Sequence, residues 1–215
     1  LTLSDAPAFR VRFLGALPPP AQRYWRGPVL HEFDGGTWRV ARGTPYPLSP
    51  PQPKGKPIHY RVLLEPTQHT YVPLLEHALD WTLEDASRNW DLGVTTVRPI
   101  TAVTAYEATS DALATSGEAL PLSLRRRTLQ WPSGTNPRTV AWANELRETY
   151  ADDGELVAAI LRRFGEPPFA YTLTPPQLDD MNAVDDFLFT SQRGFCGHYA
   201  SALAALARAA GIPAR

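Results

Sequence analysis

An α+β chain, strands first and helices last, is predicted by two periodicities and the place where one gives way to the other. Apolar residues alternate through Phe9, Val11, Phe13 and again through Ile58, Tyr60, Val62, Leu64, the period-two pattern of half-buried strands. Beyond Asn136 they recur at helical spacing, as in Val140, Ala143 and Leu146. With 215 residues, 43% of them hydrophobic, the chain is long enough to bury a core as one large domain or two small ones. The expected organisation is a β-sandwich over residues 1–133, for which an immunoglobulin-like arrangement is one form, followed by a helical segment over residues 134–215.

Within the first part, further strands are expected at Thr37 to Ala41, Thr70 to Leu74, Leu79 to Leu83, Thr96 to Tyr106 and Leu120 to Leu129. Asp34-Gly35-Gly36 makes a turn before one of them. Several short strands with no helix between them point to a sandwich or barrel. Pro18-Pro19-Pro20 and the stretch from Pro45 to Pro57 cannot join a central ladder, because proline has no N–H to donate, so they form surface connections or edges. Arg125-Arg126-Arg127 is expected on a solvated edge.

In the second part, Asn136 can cap a helix whose first turn holds Pro137. Another runs from Asp152 or Asp153 through Leu156, Val157, Ile160, Leu161 and Phe164 to Gly165, with Pro167 beyond it. Phe169 to Leu173 is strand-like, Pro175-Pro176 stops it, and Asp185 to Phe189 makes a short helical turn before the loop from Thr190 to Phe195. From Cys196 to Ala210 alanine and leucine dominate, and Gly211 with Pro213 ends the run, so a buried helix begins at the cysteine.

Composition narrows the function. A net charge of −1 gives no basic excess to gather against nucleic acid or an anionic membrane. No run of 18 apolar residues spans a bilayer, and no secretory signal is present. Of 21 basic residues only Lys54 and Lys56 are lysines, and prolines number 22; this bias reads as genomic. Because the chain starts at Leu1 and stops at Arg215 in the middle of a motif, it is expected to be cut from a longer polypeptide. One cysteine excludes an internal disulfide framework and a multi-cysteine zinc site. His31, His59, His69 and His77 lack paired ligand spacing, so no metal site is expected.

The remaining chemistry rests on Cys196. A thiol in the first turn of a helix faces unpaired N–H groups and the positive end of the peptide dipole, which favour the thiolate. Gly194 allows a tight turn into the helix, and the N–H of Cys196 could hold the oxyanion of a tetrahedral intermediate. His198 lies two residues along, about 200° around the helix, so its ring points away from the thiol and is read as structural. Gln192 and Tyr171 could donate toward an oxyanion, though a loop contact and groove-wall packing are the plainer readings. Trp25, Trp38 and Trp142 are read as core or interface anchors.

Asp186-Phe187-Leu188-Phe189, Arg193-Gly194-Phe195-Cys196, His198-Tyr199-Ala200 and Arg208 to Arg215 together resemble the bacterial transglutaminase-like membrane proteins. Ala8 to Phe13, Tyr24-Trp25-Arg26-Gly27, and Phe33-Asp34-Gly35 through Trp38-Arg39 are similar to the domain that precedes the core in that family. The resemblance implies a multi-span inner-membrane protein with a large periplasmic or extracellular loop. That loop carries a β-rich domain and then a papain-like core with a Cys-His-Asp triad.

Of the triad only the cysteine matches, as Cys196; the family's histidine, in a His-Ala-Trp context, and its aspartate lie beyond Arg215, so the fragment alone is expected to be inactive. Where the family usually has glutamate after the cysteine, this chain has Gly197. The implied chemistry is acyl transfer from glutamine or a peptide-like amide of a protein or peptide substrate through a thioester, with no cofactor. The alternatives are a thiol protease or amidase on the same fold, or a non-catalytic envelope binding or scaffolding module with a degenerate core, which Gly197 keeps open.

Overall fold

The computed structural model describes residues 6–41, 48–115 and 120–215. Strands β1 (Phe9–Phe13), β2 (Trp25–Arg26), β3 (Glu32–Phe33), β4 (Trp38–Arg39), β5 (Ile58–Leu64) and β6 (Leu74–Leu75) come first. Then follow β7 (Ala78–Trp81), β8 (Ala86–Arg88), β9 (Val94–Thr96) and β10 (Thr104–Ser110). Helices α1 (Leu122–Thr128), α2 (Pro137–Thr149) and α3 (Asp153–Phe164) precede β11 (Ala170–Tyr171), α4 (Ala183–Asp186), β12 (Arg193–Gly194) and α5 (Cys196–Ala209). They form two compact units, Leu1–Val29 with Thr44–Leu120, and Leu30–Gly43 with Pro121–Arg215.

The first unit is built on an antiparallel sheet of order β1-β5-β10-β7. Along β5 the even-numbered residues Tyr60, Val62 and Leu64 are buried while His59, Arg61 and Leu63 are exposed, so one face packs and the other meets water. Arg61 and Glu107 pair across the wet face. The buried face is covered by short ladder pairs, β2 with β6 and β8 with β9, rather than by long strands; Trp25 of β2 meets Tyr60 edge-on, with ring centroids 5.4 Å apart. Buried hydroxyls tie the layers: Tyr60 Oη accepts the Leu75 N–H at 3.0 Å, and Tyr106 Oη donates to the Pro73 carbonyl at 2.7 Å.

Several strands differ from their expected bounds. The stretch from Thr96 to Tyr106 divides into the end of β9 and the start of β10, because Pro99 cannot continue a ladder; Thr37 to Ala41 narrows to β4, and Thr70 to Leu74 contributes a single bridge at Tyr71 before β6. Leu120 to Leu129, expected as a strand, holds helix α1. Leu124 and Thr128, four residues apart, are its buried positions, and Thr128 Oγ1 returns a hydrogen bond to the Leu124 carbonyl at 2.8 Å. Arg125 to Arg127 therefore occupy the last turn of a helix, where cations suit the dipole. Part of the proline-rich connection, residues 45–47, lies outside the described residues; farther along, Gln52 bridges to Thr115.

The second unit packs α2, α3 and α4 around α5, over a core that includes Ala143, Leu156, Ile160, Phe187, Ala205 and Leu206. It also takes in the β3–β4 hairpin, which precedes the helices by about a hundred residues. Gln130 imitates a neighbouring strand: its Oε1 accepts the Phe33 N–H at 3.1 Å and its Nε2 donates to the Phe33 carbonyl at 2.9 Å. Trp38 stacks on Phe33 at 4.6 Å and donates its indole N–H to Ser201 Oγ at 2.8 Å. The hairpin turn at Gly35 and Gly36 lies so close to Asp180 and Met181 that a Cβ on Gly36 would stand 2.1 Å from the Asp180 carbonyl oxygen. Both α1 and this hairpin thus fall in the helical unit, on the far side of the cut expected at residue 133.

At the far end of α5 sits Arg208, only 3% exposed. Its guanidinium donates to the carbonyls of Ala214, Gln130 and His31 at 2.8, 3.0 and 2.7 Å and lies 4.5 Å over the Trp38 ring. Burial pushes its pKa down to about 10, still charged at neutral pH.

Candidate active site

Cys196 opens α5, one residue after the N-cap Phe195, whose backbone is extended. Its thiol is free and exposed. The first-turn N–H groups of Cys196 and Gly197 have no acceptor within the helix, while that of His198 returns to the Phe195 carbonyl at 2.9 Å. The sulfur therefore sits at the start of a helix and is open to solvent.

The approach to Cys196 is fixed by pairing. β12 runs parallel to β11, with Ala170 opposite Arg193 and Tyr171 opposite Gly194. The Ala170 N–H donates to the Gln192 carbonyl and the Thr172 N–H to the Gly194 carbonyl, each at 2.9 Å. Upstream, residues Phe187–Ser191 form a π-helical turn, closed by Gln192 in the left-handed region at φ 49°. Gln192 spends its side chain on this turn, donating Nε2 to the Leu188 carbonyl at 3.1 Å while its backbone N–H donates to Phe187 at 2.9 Å. This is a loop contact. Tyr171 is 63% exposed and lies parallel to Tyr199 with ring centroids 6.5 Å apart, so it forms part of an aromatic wall one strand away from the cysteine.

Gly194 is buried for a specific reason. A Cβ there would stand 2.7 Å from His198 Cβ and 2.9 Å from Nδ1. His198 turns back toward the N-cap, and its Nδ1 accepts the Phe195 N–H at 3.3 Å. Burial pushes the imidazole below its ordinary value, in keeping with a neutral ring at that acceptor. Phe195 packs edge-on against it at 4.4 Å, with Phe187 5.7 Å away. On the other side the Phe195 ring covers Gly197, where a Cβ would lie 3.0 Å from Cε2.

The other histidines are scattered. His31 is buried and offers its carbonyl to Arg208; His59 Nδ1 meets Thr109 Oγ1 at 3.0 Å on the wet sheet face; His69 stacks on Tyr71; His77 has positive φ. Trp25 packs within the first unit's core, and Trp38 and Trp142 against that of the second. Among the described residues no cluster of His, Cys, Asp or Glu is disposed to hold a metal ion, and no helix is long and apolar enough to cross a membrane.

Sequence reasoning missed a polar cluster that ties the starts of α2 and α4 together. Asn136, fully buried and left-handed at φ 48°, accepts the N–H groups of Val184 and Asp185 on its Oδ1 at 3.0 and 3.1 Å and donates Nδ2 to the Gly35 carbonyl at 2.7 Å. Asp185 accepts the N–H groups of Arg138 and Thr139 at 2.9 and 2.7 Å and the Thr139 hydroxyl at 2.6 Å. The only local signal was Asn136 before Pro137.

Comparison with known proteins matches two successive stretches of the chain. The profile of the family described as the TgpA N-terminal domain matches residues 1–116, and that of the transglutaminase-like superfamily matches residues 140–215. The chain is 41% identical over 210 residues to a protein-glutamine gamma-glutamyltransferase of Pseudomonas aeruginosa, covering 97% of this chain and 31% of that protein; it thus spans about a third of that relative's length. It is 34% identical over 92 residues to the uncharacterized protein YebA of Bacillus subtilis, covering 41% of this chain and 12% of YebA. The crystal structure of the periplasmic domain of TgpA from Pseudomonas aeruginosa bound to ethylmercury superposes with a TM-score of 0.87 at 40% identity, covering 96% of this chain and 73% of that one.

Proposed function

Because this chain belongs to the transglutaminase-like family whose members carry the TgpA N-terminal domain, we propose that it is the periplasmic, nucleophile-bearing part of a cysteine acyltransferase. The parent protein is held to the inner membrane by segments outside the chain. Cys196 is the nucleophile. Its thiolate attacks the carboxamide carbon of a glutamine side chain, the C–N bond breaks, ammonia leaves with a proton from the general acid, and a thioester remains. A primary amine then attacks the thioester and takes the acyl group, or water does so and yields glutamate. The histidine that moves the protons and its aspartate partner belong to the sequence beyond Arg215; in this chain the helix dipole and the first-turn amides assist the sulfur and the developing oxyanion. No cofactor is needed.

The observation that carries this reading is the position of Cys196: exposed, in the first helical turn, and led in by the β11–β12 pair. The relative named as a protein-glutamine gamma-glutamyltransferase supports glutamine as the acyl donor. The test is incorporation of a fluorescent primary amine into a glutamine-containing protein by the full-length protein. Incorporation that disappears in Cys196→Ala is the expected result. Release of ammonia without incorporation marks an amidase, and neither activity marks a binding module.

A further inference from the structure

We propose that His198 is a positioning residue for Cys196: by accepting the Phe195 N–H it holds the bend into α5 in one conformation, so that the thiol meets its substrate from a fixed direction. This rests on the acyl-transfer reading of Cys196.

An acid–base part for His198 toward the thiol is excluded by helix geometry, since a two-residue offset turns the side chain about 200° away. The ring is directed backward instead. A side chain at the third helical position that accepts the N-cap N–H forms half of a capping box, a place usually held by Glu or Gln. The other half would need an acceptor on the N-cap side chain, and Phe195 has none. Beyond the backbone bonds from the His198 N–H to the Phe195 carbonyl and from the Thr172 N–H to the Gly194 carbonyl, the side-chain part of the bend rests on the bond from the Phe195 N–H to His198 Nδ1 and on the shapes around it.

Those shapes are built for the imidazole. Gly194 has no room for a methyl group because His198 Cβ, Cγ and Nδ1 occupy the space at 2.7–2.9 Å, and Gly197 is bare beneath the Phe195 ring that packs edge-on against His198. Two glycines flanking the cysteine thus let two rings close over the first turn. Any movement of Phe195 carries Cys196 with it, as its immediate neighbour in the chain. Misplacement of a nucleophile by about 1 Å costs up to roughly 10²-fold in rate, which is why one hydrogen bond at this place matters more for chemistry than for stability.

The test separates the acceptor from the shape. In the full-length protein, the rate of alkylation at Cys196 by iodoacetamide, located by peptide mass, is measured together with kcat and KM for amine incorporation. His198→Asn keeps an acceptor oxygen where Nδ1 stands, and His198→Leu keeps apolar bulk without an acceptor. The expected result is that Asn stays within about twofold of the parent in both rates, while Leu lowers both by about tenfold with KM unchanged. Leu matching the parent, or Asn falling as far as Leu, overturns the proposal. Should Leu not fold, the Phe195 amide decides in the parent protein: slow hydrogen exchange there agrees with the bond, and exchange as fast as at an open amide overturns it. Absence of amine incorporation in the parent defeats the acyl-transfer reading alone, because alkylation and exchange still report on His198.

Discussion

Asn136 and Asp185 cap each other's helices. The Asn136 side chain, from the start of α2, accepts the N–H groups of Val184 and Asp185 in the first turn of α4, while the Asp185 carboxylate accepts those of Arg138 and Thr139 in the first turn of α2. Each helix start thus depends on the other for groups it cannot satisfy alone. The Phe187–Ser191 turn and β12 continue directly from α4 toward Cys196, so the cluster fixes where that segment begins.

Asp185→Ala should destabilise the protein by about 3 kcal/mol, since it strands the buried N–H and hydroxyl of Thr139 and the half-buried N–H of Arg138, and Asp185→Asn by about 1 kcal/mol. Asn136→Ala should cost a comparable amount, and the double variant should cost less than the sum of the singles. Urea unfolding midpoints of the four variants against the parent check this.

Gly36→Ala should destabilise by about 3 kcal/mol, because its Cβ would meet the Asp180 carbonyl oxygen at 2.1 Å and neither backbone can yield cheaply. Gly27→Ala, with nothing within 4 Å of the added carbon, should stay within about 0.5 kcal/mol. Thermal denaturation of the pair gives the contrast, and equal losses would show that the hairpin is not held against residues 180–181.

Two groups give stability a dependence on acid, each in its own window. Burial lowers the native value of His198, so its neutral form is favoured in the fold; the stability it contributes is complete above about pH 6.5 and is lost as pH falls from there toward the lower native value. Burial works to raise Asp111, but N–H bonds from Gly55, Leu113 and Lys54 outweigh it and hold the carboxyl below its ordinary value. Its contribution is present above 3.8 and disappears as pH drops through the native value. Asp111→Asn should flatten the lower part of an unfolding curve measured against pH, and His198→Asn the upper part.

Cys196 should react with iodoacetamide at neutral pH faster than free cysteine does, given its exposure and the helix end behind it. Rates from competition with free cysteine check this directly.

Much of this was legible along the chain. β5 declared itself by strict alternation, α3 by its spacing with Asp152 before it and Gly165 after, and α5 by its alanine-rich run closed at Gly211 and Pro213. α1 was misread because Leu120, Leu122 and Leu124 alternate like a strand, while the four-residue step from Leu124 to Thr128 is equally present; short apolar runs do not separate the two periods. The place of the β3–β4 hairpin was illegible for another reason. Gln130 standing in for a strand, and Trp38 reaching Ser201, are contacts between residues 97 and 163 positions apart, and no local pattern reports them. The bond from the Phe195 N–H to His198 has no signature in the spacing of the helix.

Arg208 makes the order of synthesis matter. It grips the carbonyl of His31 across 177 positions, so on a translating ribosome the hairpin strand emerges long before the helix that will clasp it. Contacts of such long sequence separation are slow to form, and the waiting segment includes Phe33 and Trp38, whose aromatic surfaces are covered only after α5 has been made. The protein's yield on expression should therefore respond to chaperone supply and growth temperature more steeply than its final stability would suggest.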